Sequence, residues 1–190
     1  MLAAVVTSLE MREKPRPKMT PPAPFRLIRW KAPAPDKYRA LFRRIGEPWI
    51  WFSRLVMSDG SLSAIIHDPA VEIFAVADRH GIEIGILELD FRKAGEVEIA
   101  FFGFVTELAG KGHGGWLMAQ ALSLGWRKGI ERMWVHTCTL DHPGALSFYR
   151  KHGFVPFERA IETFADPRIA GVLAPESAPH VPLLQPSIRR

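Results

Sequence analysis

The sequence is poor in cysteine and has no long apolar runs. Cys138 is the one cysteine among 190 residues, which excludes an intramolecular disulfide and a zinc site built mainly from thiolates. The seven histidines form neither an HExxH motif nor a paired Cys/His spacing, so no metal is expected. No apolar run approaches the roughly 18 residues of a membrane helix, and the N-terminus lacks the apolar stretch of a signal peptide. These absences predict a cytoplasmic protein without a membrane partner.

Positive charge is concentrated near the N-terminus. The formal net charge is +5, divided into +8 over residues 1–44 and −3 over residues 45–190. A basic folded face would suggest nucleic-acid binding. Arg12, Lys14, Arg16 and Lys18 instead lie in a proline-containing stretch whose composition favours a solvated segment. We therefore expect no nucleic-acid partner. The alternative, nucleic-acid binding through this basic segment, predicts an affinity for nucleic acid that falls steeply with salt.

Proline marks the predicted domain limits. Seven of the sixteen prolines lie in residues 1–35 and five in residues 167–190. We predict a disordered, basic, Pro-rich segment over residues 1–24, a folded domain over residues 25–166 and a Pro-rich C-terminal segment over residues 167–190.

Within the folded domain, the apolar spacing alternates between a period of two and one of three to four, which predicts an α+β fold. The predicted strands are residues 25–30, 71–77, 82–91, 97–105, 132–138 and 154–164. The predicted helices are residues 36–45, 58–66 and 112–127, with a fourth that runs from the turn at 141–143 to residue 152. The three strands that follow the first two helices, residues 71–77, 82–91 and 97–105, are predicted to form an antiparallel meander, followed by one parallel crossover at the glycine-rich segment.

The glycine-rich segment of residues 109–115 carries the strongest chemical signal. Glycines where a strand leads into a helix let backbone N–H groups converge beside the positive end of the helix dipole, which suits a phosphate. A tight turn is the simpler alternative. The segment differs from a Walker A motif at two positions, because Val105 stands where that motif has Gly and Gly112 stands where it has Ser or Thr. Gly110, Gly112 and Gly115 match GxGxxG, but the acid that dinucleotide binding requires is missing.

Two motifs resemble those of a known family. The first motif is a loop between a strand and a helix. The loop Ala109-Gly-Lys-Gly-His-Gly114 follows strand 97–105, precedes the third helix and is similar to a loop of the form [Q/R]-x-x-G-x-[G/A]. The segment from Asp141 to Phe154 is similar to N-x-x-A-x-x-x-Y-x-x-x-G-F. In this order they resemble the GNAT superfamily of acetyl-CoA-dependent N-acyltransferases, over about residues 25–166. The resemblance implies an α/β three-layer domain whose mixed, mostly antiparallel sheet has helices on both faces.

The resemblance also implies acetyl-CoA as the acyl donor. Ala109 replaces the usual Gln or Arg of the loop, so pyrophosphate binding would depend on backbone N–H groups and on Lys111. His142 replaces the usual Asn of the second motif. The cofactor-binding residues implied by the resemblance are Phe102, Gly103, Phe104, Ala109, Gly110, Lys111, Gly112, His113, Gly114, Gly115, His142, Ala145 and Phe148.

Tyr149 stands where the family places the acid that protonates the leaving thiolate; a core aromatic is the alternative. Glu98 is the candidate general base, and period two predicts that its side chain shares a face with Ala100 and Phe102. His136 is the rival base because a histidine pKa lies near working pH. A solvent-facing glutamate and a core histidine are the simpler interpretations of these two residues.

The acceptor is expected to bind at the aromatic segment between the first two helices. Trp49, Trp51 and Arg54, beside Phe52, are the predicted substrate-binding residues, and packing against the sheet is the alternative for each ring. Aromatic rings with a guanidinium would suit an amine of apolar or acidic character.

Taken with the resemblance, the sequence predicts an N-acetyltransferase that moves an acetyl group from acetyl-CoA to a small-molecule or peptide primary amine by direct attack in a ternary complex. The alternative is a GNAT-like module that binds acyl-CoA or a partner without turnover. The strand 154–164 and the apolar residues of the C-terminal segment suggest a homodimer.

Overall fold

A computed structural model describes residues 1–16 and 23–184, which form one seven-stranded sheet and four α-helices. None of the helices in these residues is long and apolar enough to cross a membrane. The strands are β1 (Leu2–Met11), β2 (Arg26–Trp30), β3 (Val71–Ala77), β4 (Glu83–Asp90), β5 (Glu96–Phe104), β6 (Arg132–Cys138) and β7 (Val155–Phe164). The helices are α1 (Pro35–Gly46), α2 (Asp59–Ile66), α3 (Gly114–Gly125) and α4 (Ala145–Lys151).

The strands lie in the order β2-β3-β4-β5-β6-β1-β7. Every neighbouring pair is antiparallel except β5 and β6, which are parallel. The predicted α+β fold class is therefore confirmed, together with the meander β3-β4-β5 and the single parallel crossover through α3. β3 and β6 have the predicted bounds, and the other predicted elements differ from the structure by one to three residues at their ends.

Local sequence explains why the first two helices form where they do. Pro35 occupies the first turn of α1, where its missing N–H costs nothing, and Asp36 lies in the same turn beside the positive end of the helix dipole. At α2 the hydroxyl of Ser58 accepts a hydrogen bond from the N–H of Ser61 (3.2 Å), which caps the helix.

Helices cover both faces of the sheet. Phe101 and Phe102 are consecutive in β5 and point to opposite faces. The ring of Phe101 packs against Phe42 of α1, with ring centroids 4.8 Å apart, and that of Phe102 packs against Phe148 of α4, with centroids 5.6 Å apart. The predicted three-layer arrangement is confirmed.

The N-terminal residues contradict the predicted disordered segment. β1 lies between β6 and β7 and is antiparallel to both, and Leu9 is fully buried. The prediction of disorder over residues 1–24 is therefore wrong for residues 2–11. The charged, proline-rich residues that follow dominated the composition, whereas residues 2–11 are themselves apolar and β-branched, as a central strand requires. Part of the predicted segment, residues 17–22, lies outside the described residues.

The C-terminal segment packs on the domain as far as residue 184. Asp166 and Arg168 form an almost fully buried ion pair (2.8 Å), and the Arg168 guanidinium also donates to the carbonyl of Val181 (2.7 Å). Leu173 and Ala178 are buried in a second apolar cluster with partners from β1 and from the loops beside the sheet. The predicted segment 167–190 is thus part of the fold over residues 167–184, and residues 185–190 lie outside the described residues.

Candidate active site

The candidate site lies where two parallel strands separate. β5 and β6 pair only between Glu96–Glu98 and Arg132–Trp134. Beyond that point both strands line a cavity of about 710 Å³. Separation leaves main-chain N–H and C=O groups without strand partners, and such groups can bind a ligand in extended conformation.

Main-chain groups of β5 face the cavity at Phe102 and Phe104. The N–H of Val105 donates to the carbonyl of Ile84 in β4 (2.9 Å). Hydrogen bonds alternate along an antiparallel pair, so Phe102 and Phe104 direct their N–H and C=O groups away from β4. Both residues line the cavity, and they therefore offer alternating donors and acceptors to a bound molecule.

A β-bulge in β5 decides which side chains share a face. Phe101 pairs with Glu88 of β4, and the register shifts beside this pair, which leaves Ala100 without a partner. The extra residue reverses the alternation, so Glu98 lies on the face of Phe101. The prediction that Glu98 and Phe102 share a face is wrong for this reason.

Residues 109–115, called the glycine loop below, offer free hydrogen-bond donors at the start of α3. Gly110 and Gly112 have φ angles of 73° and 84°, which glycine adopts without strain. No described protein group accepts a hydrogen bond from the N–H groups of Gly110, Gly112, His113, Gly114 and Gly115. These donors lie at the positive end of the α3 dipole, so the loop suits a phosphate or pyrophosphate.

Most of the predicted cofactor residues lie on this one cavity. Those that line it are Phe102, Gly103, Phe104, Ala109, Gly110, Gly112, Gly114, Gly115, His142, Ala145 and Phe148. The side chains of Lys111 and His113 do not. Lys111 is exposed, and the His113 ring packs edge-on against Phe25 with centroids 4.9 Å apart. Neither Lys111 nor His113 is among the residues that line the cavity, although the main-chain N–H of His113 has no described acceptor.

Tyr149 lies on α4 and lines the cavity with its side chain almost buried, at 7% exposure. Its ring packs edge-on against Phe154 and Phe102, with centroids 6.0 and 6.1 Å apart. No described residue forms a hydrogen bond with its hydroxyl. Burial, and secondly the charge of Asp141, raise the pKa of Tyr149 well above its ordinary value. The phenol is therefore neutral and can donate a proton.

His136 and Glu98 form a pair beside the cavity. The Glu98 Oε1 atom lies 3.2 Å from the His136 Nδ1 atom. His136 lines the cavity, whereas Glu98 does not. The hydrogen bond to Glu98 raises the pKa of His136, and the charges of Glu98, Asp141 and Glu162 add to this. Of the two predicted base candidates, His136 is the one that a substrate can reach, with Glu98 behind it.

Asp141 joins the acceptor segment to β6. Its Oδ1 atom accepts a hydrogen bond from Trp51 Nε1 (3.1 Å), and its Oδ2 atom accepts from Thr137 Oγ1 (2.7 Å) and from the N–H of Cys138 (2.9 Å). Trp49, Trp51 and Asp141 all line the cavity. The sequence analysis placed only a turn at Asp141, because Trp51, the partner that joins it to the acceptor segment, lies 90 residues away along the chain.

Arg54 does not line the cavity, contrary to its predicted role in acceptor binding. Its Nη2 atom donates to Glu88 Oε1 (2.7 Å), whose other oxygen accepts from the Tyr38 hydroxyl (2.5 Å). Arg54 and Glu88 are both buried. The guanidinium is thus used to neutralise a buried carboxylate and is not available for an acidic acceptor.

The far end of the cavity is lined by residues that the sequence analysis missed. Ala4 and Val6 of β1 and Glu162 and Phe164 of β7 line it. Period two in β7 is enough to place Glu162 and Phe164 on one face. Their position at the cavity depends on β1, which joins β7 to the rest of the sheet. Among the described residues there is no group of three or more His, Cys, Asp and Glu side chains that could hold a metal ion.

Comparison with known proteins gives a family and a fold. The sequence model of the acetyltransferase (GNAT) family matches residues 25–154. No curated protein sequence matches the chain.

Solved structures with a similar fold share little sequence. A functionally unknown conserved protein from Staphylococcus epidermidis has a TM-score of 0.58 at 13% identity, over 84% of this chain and 60% of that one. An aminoglycoside acetyltransferase from an uncultured soil metagenomic sample, in complex with sisomicin, has a TM-score of 0.58 at 16% identity, over 75% of this chain and 95% of that one. A spermidine N-acetyltransferase chimera from Vibrio cholerae has a TM-score of 0.57 at 21% identity, over 72% and 83% of the two chains. At these identities the similarity is one of fold.

Proposed function

Because this chain belongs to the acetyltransferase (GNAT) family, we propose that it transfers an acetyl group from acetyl-CoA to a primary amine, by direct attack within a ternary complex. The observation that carries the proposal is the glycine loop, whose free N–H groups face the same cavity as Tyr149. The relatives named for aminoglycoside and spermidine acetylation support an amine as the acceptor.

Each part of the cavity has a role in this reaction. The N–H groups of the glycine loop bind the pyrophosphate, so the missing side chain at Ala109 leaves the binding mode intact. The main-chain groups of Phe102 and Phe104 bind the extended arm that leads to the thioester, and an N–H there donates to the carbonyl oxygen as its charge grows. Acetyl-CoA supplies the electrophilic thioester carbon.

Two side chains move the protons. His136 accepts a proton from the attacking amine, and Glu98 holds the imidazole in place through Nδ1. The bond between nitrogen and the carbonyl carbon forms while the bond from that carbon to sulfur breaks. The Tyr149 hydroxyl then donates its proton to the leaving thiolate. The products are an N-acetylated amine and CoA.

Ligand-dependent thermal unfolding tests the proposal directly. Acetyl-CoA and CoA, each at about one hundred times its Kd, are expected to stabilise the protein by about 2.7 kcal/mol and to raise Tm by about 5 to 10 °C. NAD and ATP are expected to leave Tm unchanged. The absence of a shift with both CoA ligands would overturn the proposal.

A matched pair of glycine variants assigns that shift to the glycine loop. Gly112→Asp places a carboxylate among the phosphate-binding donors and is expected to raise the Kd for CoA at least about tenfold. Gly129→Asp is the control, because Gly129 also has a positive φ (88°) with open space around it but lies outside the cavity lining. Equal affinities in the two variants would contradict a role for the loop.

The pH profile distinguishes His136 from Glu98 as the base. The base must be neutral, so kcat/KM rises as pH increases through the His136 pKa, which Glu98 raises above its usual value of about 6.5. Glu98→Gln removes the negative partner and is expected to move this acidic limb to lower pH without abolishing turnover. If Glu98 were itself the base, the variant would instead lose turnover at every pH.

A further inference from the structure

One carboxylate contacts His136, and two more line the same cavity. Glu98 contacts the imidazole directly, and the charges of Asp141 and Glu162 also act on it. Asp141 and Glu162 line the cavity. The potential around the acceptor amine is therefore negative, which favours a molecule that carries positive charge beyond the nitrogen that reacts.

Of these three carboxylates, Glu162 is the one without a partner in the part of the chain that the structure describes, and it is exposed. It has neither an ion pair nor a side-chain hydrogen bond with any described residue, in contrast to Glu98, bound to His136, and Asp141, bound to Trp51. Glu162 pairs with Ala4 across the β1–β7 ladder, and it shares its face with Phe164. The Phe164 ring packs against Phe52 of the acceptor segment, with centroids 5.0 Å apart.

Two arginines on the same side of the sheet as Glu162 are paired with other carboxylates. Arg54 is buried against Glu88, and Arg132 forms ion pairs with Glu10 (2.6 Å) and Glu96 (3.0 Å). Lys151 lines the cavity from α4, which packs on the sheet face opposite to that of Glu162.

The buried hydroxyl of Tyr149 and the aromatic wall of the cavity also favour a bound ligand, independently of the acidic residues. Tyr149, which is 93% buried and lines the cavity, has no hydrogen-bond partner for its hydroxyl among the described residues. Between Tyr149 and Glu162 the wall is aromatic and apolar, with Trp49, Trp51 and Phe52 among the lining residues. Such a wall suits a hydrocarbon spacer, and the rings also attract cations.

We propose that Glu162 binds the second, non-reacting ammonium group of an aliphatic diamine or polyamine, while the first amine reacts beside His136. This inference rests on the proposed function. β6 and β7 are separated by β1, and His136 pairs with Ser8 of β1 whereas Glu162 pairs with Ala4, so the two nitrogens are separated along the strands as well as across them. The acceptor is then a cation with an apolar spacer, and not the acidic or purely apolar amine that a free Arg54 would suit.

A comparison of 1,6-diaminohexane with hexylamine isolates the second charge. Both have the same spacer, and the two equivalent amines of the diamine account for a factor of about two, so wild-type kcat/KM that is about tenfold higher for the diamine, through a lower KM, is the expected result. Glu162→Gln is expected to reduce this preference to about the twofold set by the number of amines. The charge of Glu162 also acts on His136, so the readout is the ratio of kcat/KM for the two amines, measured at one pH. Glu158→Gln is the matched control, because Glu158 lies on the same face of β7 but does not line the cavity.

The outcomes separate this inference from the proposed function. Equal kcat/KM for the two amines in the wild type, or identical behaviour of the Glu162 and Glu158 variants, would overturn the inference while acetyl transfer stands. Calorimetric titration with 1,6-diaminohexane tests the inference through binding affinity alone, without measuring acetyl transfer. Binding that is about tenfold weaker in Glu162→Gln supports it, and no binding or equal binding overturns it. The absence of a Tm shift with CoA ligands would overturn the proposed function alone.

Discussion

Replacing Tyr149 by phenylalanine is expected to lower kcat for acetyl transfer about a thousandfold and to leave the Kd for acetyl-CoA unchanged. The substitution removes only a hydroxyl that no described residue binds, so the aromatic packing against Phe102 and Phe154 is retained. Without the hydroxyl, the thiolate must leave unprotonated or take its proton from water. Steady-state kinetics together with calorimetric binding of acetyl-CoA measure the two effects separately.

Tyr38→Phe is the matched control, because Tyr38 and Tyr149 are the two tyrosines of the chain. The Tyr38 hydroxyl donates to the buried Glu88 and does not line the cavity. Its loss is expected to reduce the free energy of unfolding by about 1 to 3 kcal/mol, because Glu88 loses a hydrogen bond, and to change kcat less than twofold. Equal kcat values for Tyr149→Phe and the wild type would make Tyr149 a core aromatic. If the wild type bound acetyl-CoA and acetylated no amine, the chain would be a binding module.

The donor side of the cavity could be predicted from the sequence because its signals are local. The glycine loop and the motif around Tyr149 each occupy one short segment, and each segment by itself carries the residues that resemble a GNAT motif. β3 and β6 were predicted with their observed bounds for a similar reason, since the turn at Asp68 and Pro69 precedes one and Gly129 precedes the other.

The acceptor side could not be predicted because it depends on contacts between distant residues. Arg54 looked available for a substrate, and only its pairing with Glu88 removes it. A single bulged residue, Ala100, reverses the faces of β5, and no composition signal indicates it. Glu162 reaches the cavity because a strand from the opposite end of the chain lies between β6 and β7.

That strand leads to the largest expected effect on stability. Deleting residues 1–11 removes β1 from the interior of the sheet, so both β6 and β7 lose their partner along one edge. The deletion also removes Leu9 and Met11 from the core, and each large core truncation costs about 2 to 5 kcal/mol. Two such losses cost about 4 to 10 kcal/mol, and the lost strand pairing adds to them, so the total is comparable with the roughly 5 to 15 kcal/mol by which domains are stable. We therefore expect the shortened chain to lose its cooperative thermal transition, as measured by circular dichroism and calorimetry.

A surface substitution at the end of the same strand separates this effect from any effect of N-terminal charge. Arg12 is 68% exposed on its side chain and pairs with Glu10 at the surface, so Arg12→Ala is expected to leave the cooperative thermal transition in place. A synthetic peptide of residues 1–12, added to the shortened chain, is expected to restore the transition because β1 contributes a complete strand. A shortened chain that unfolds like the wild type would contradict the position of β1 and return residues 1–11 to a disordered segment. Because Ala4 and Val6 line the cavity, that result would also remove one wall from the proposed acceptor site.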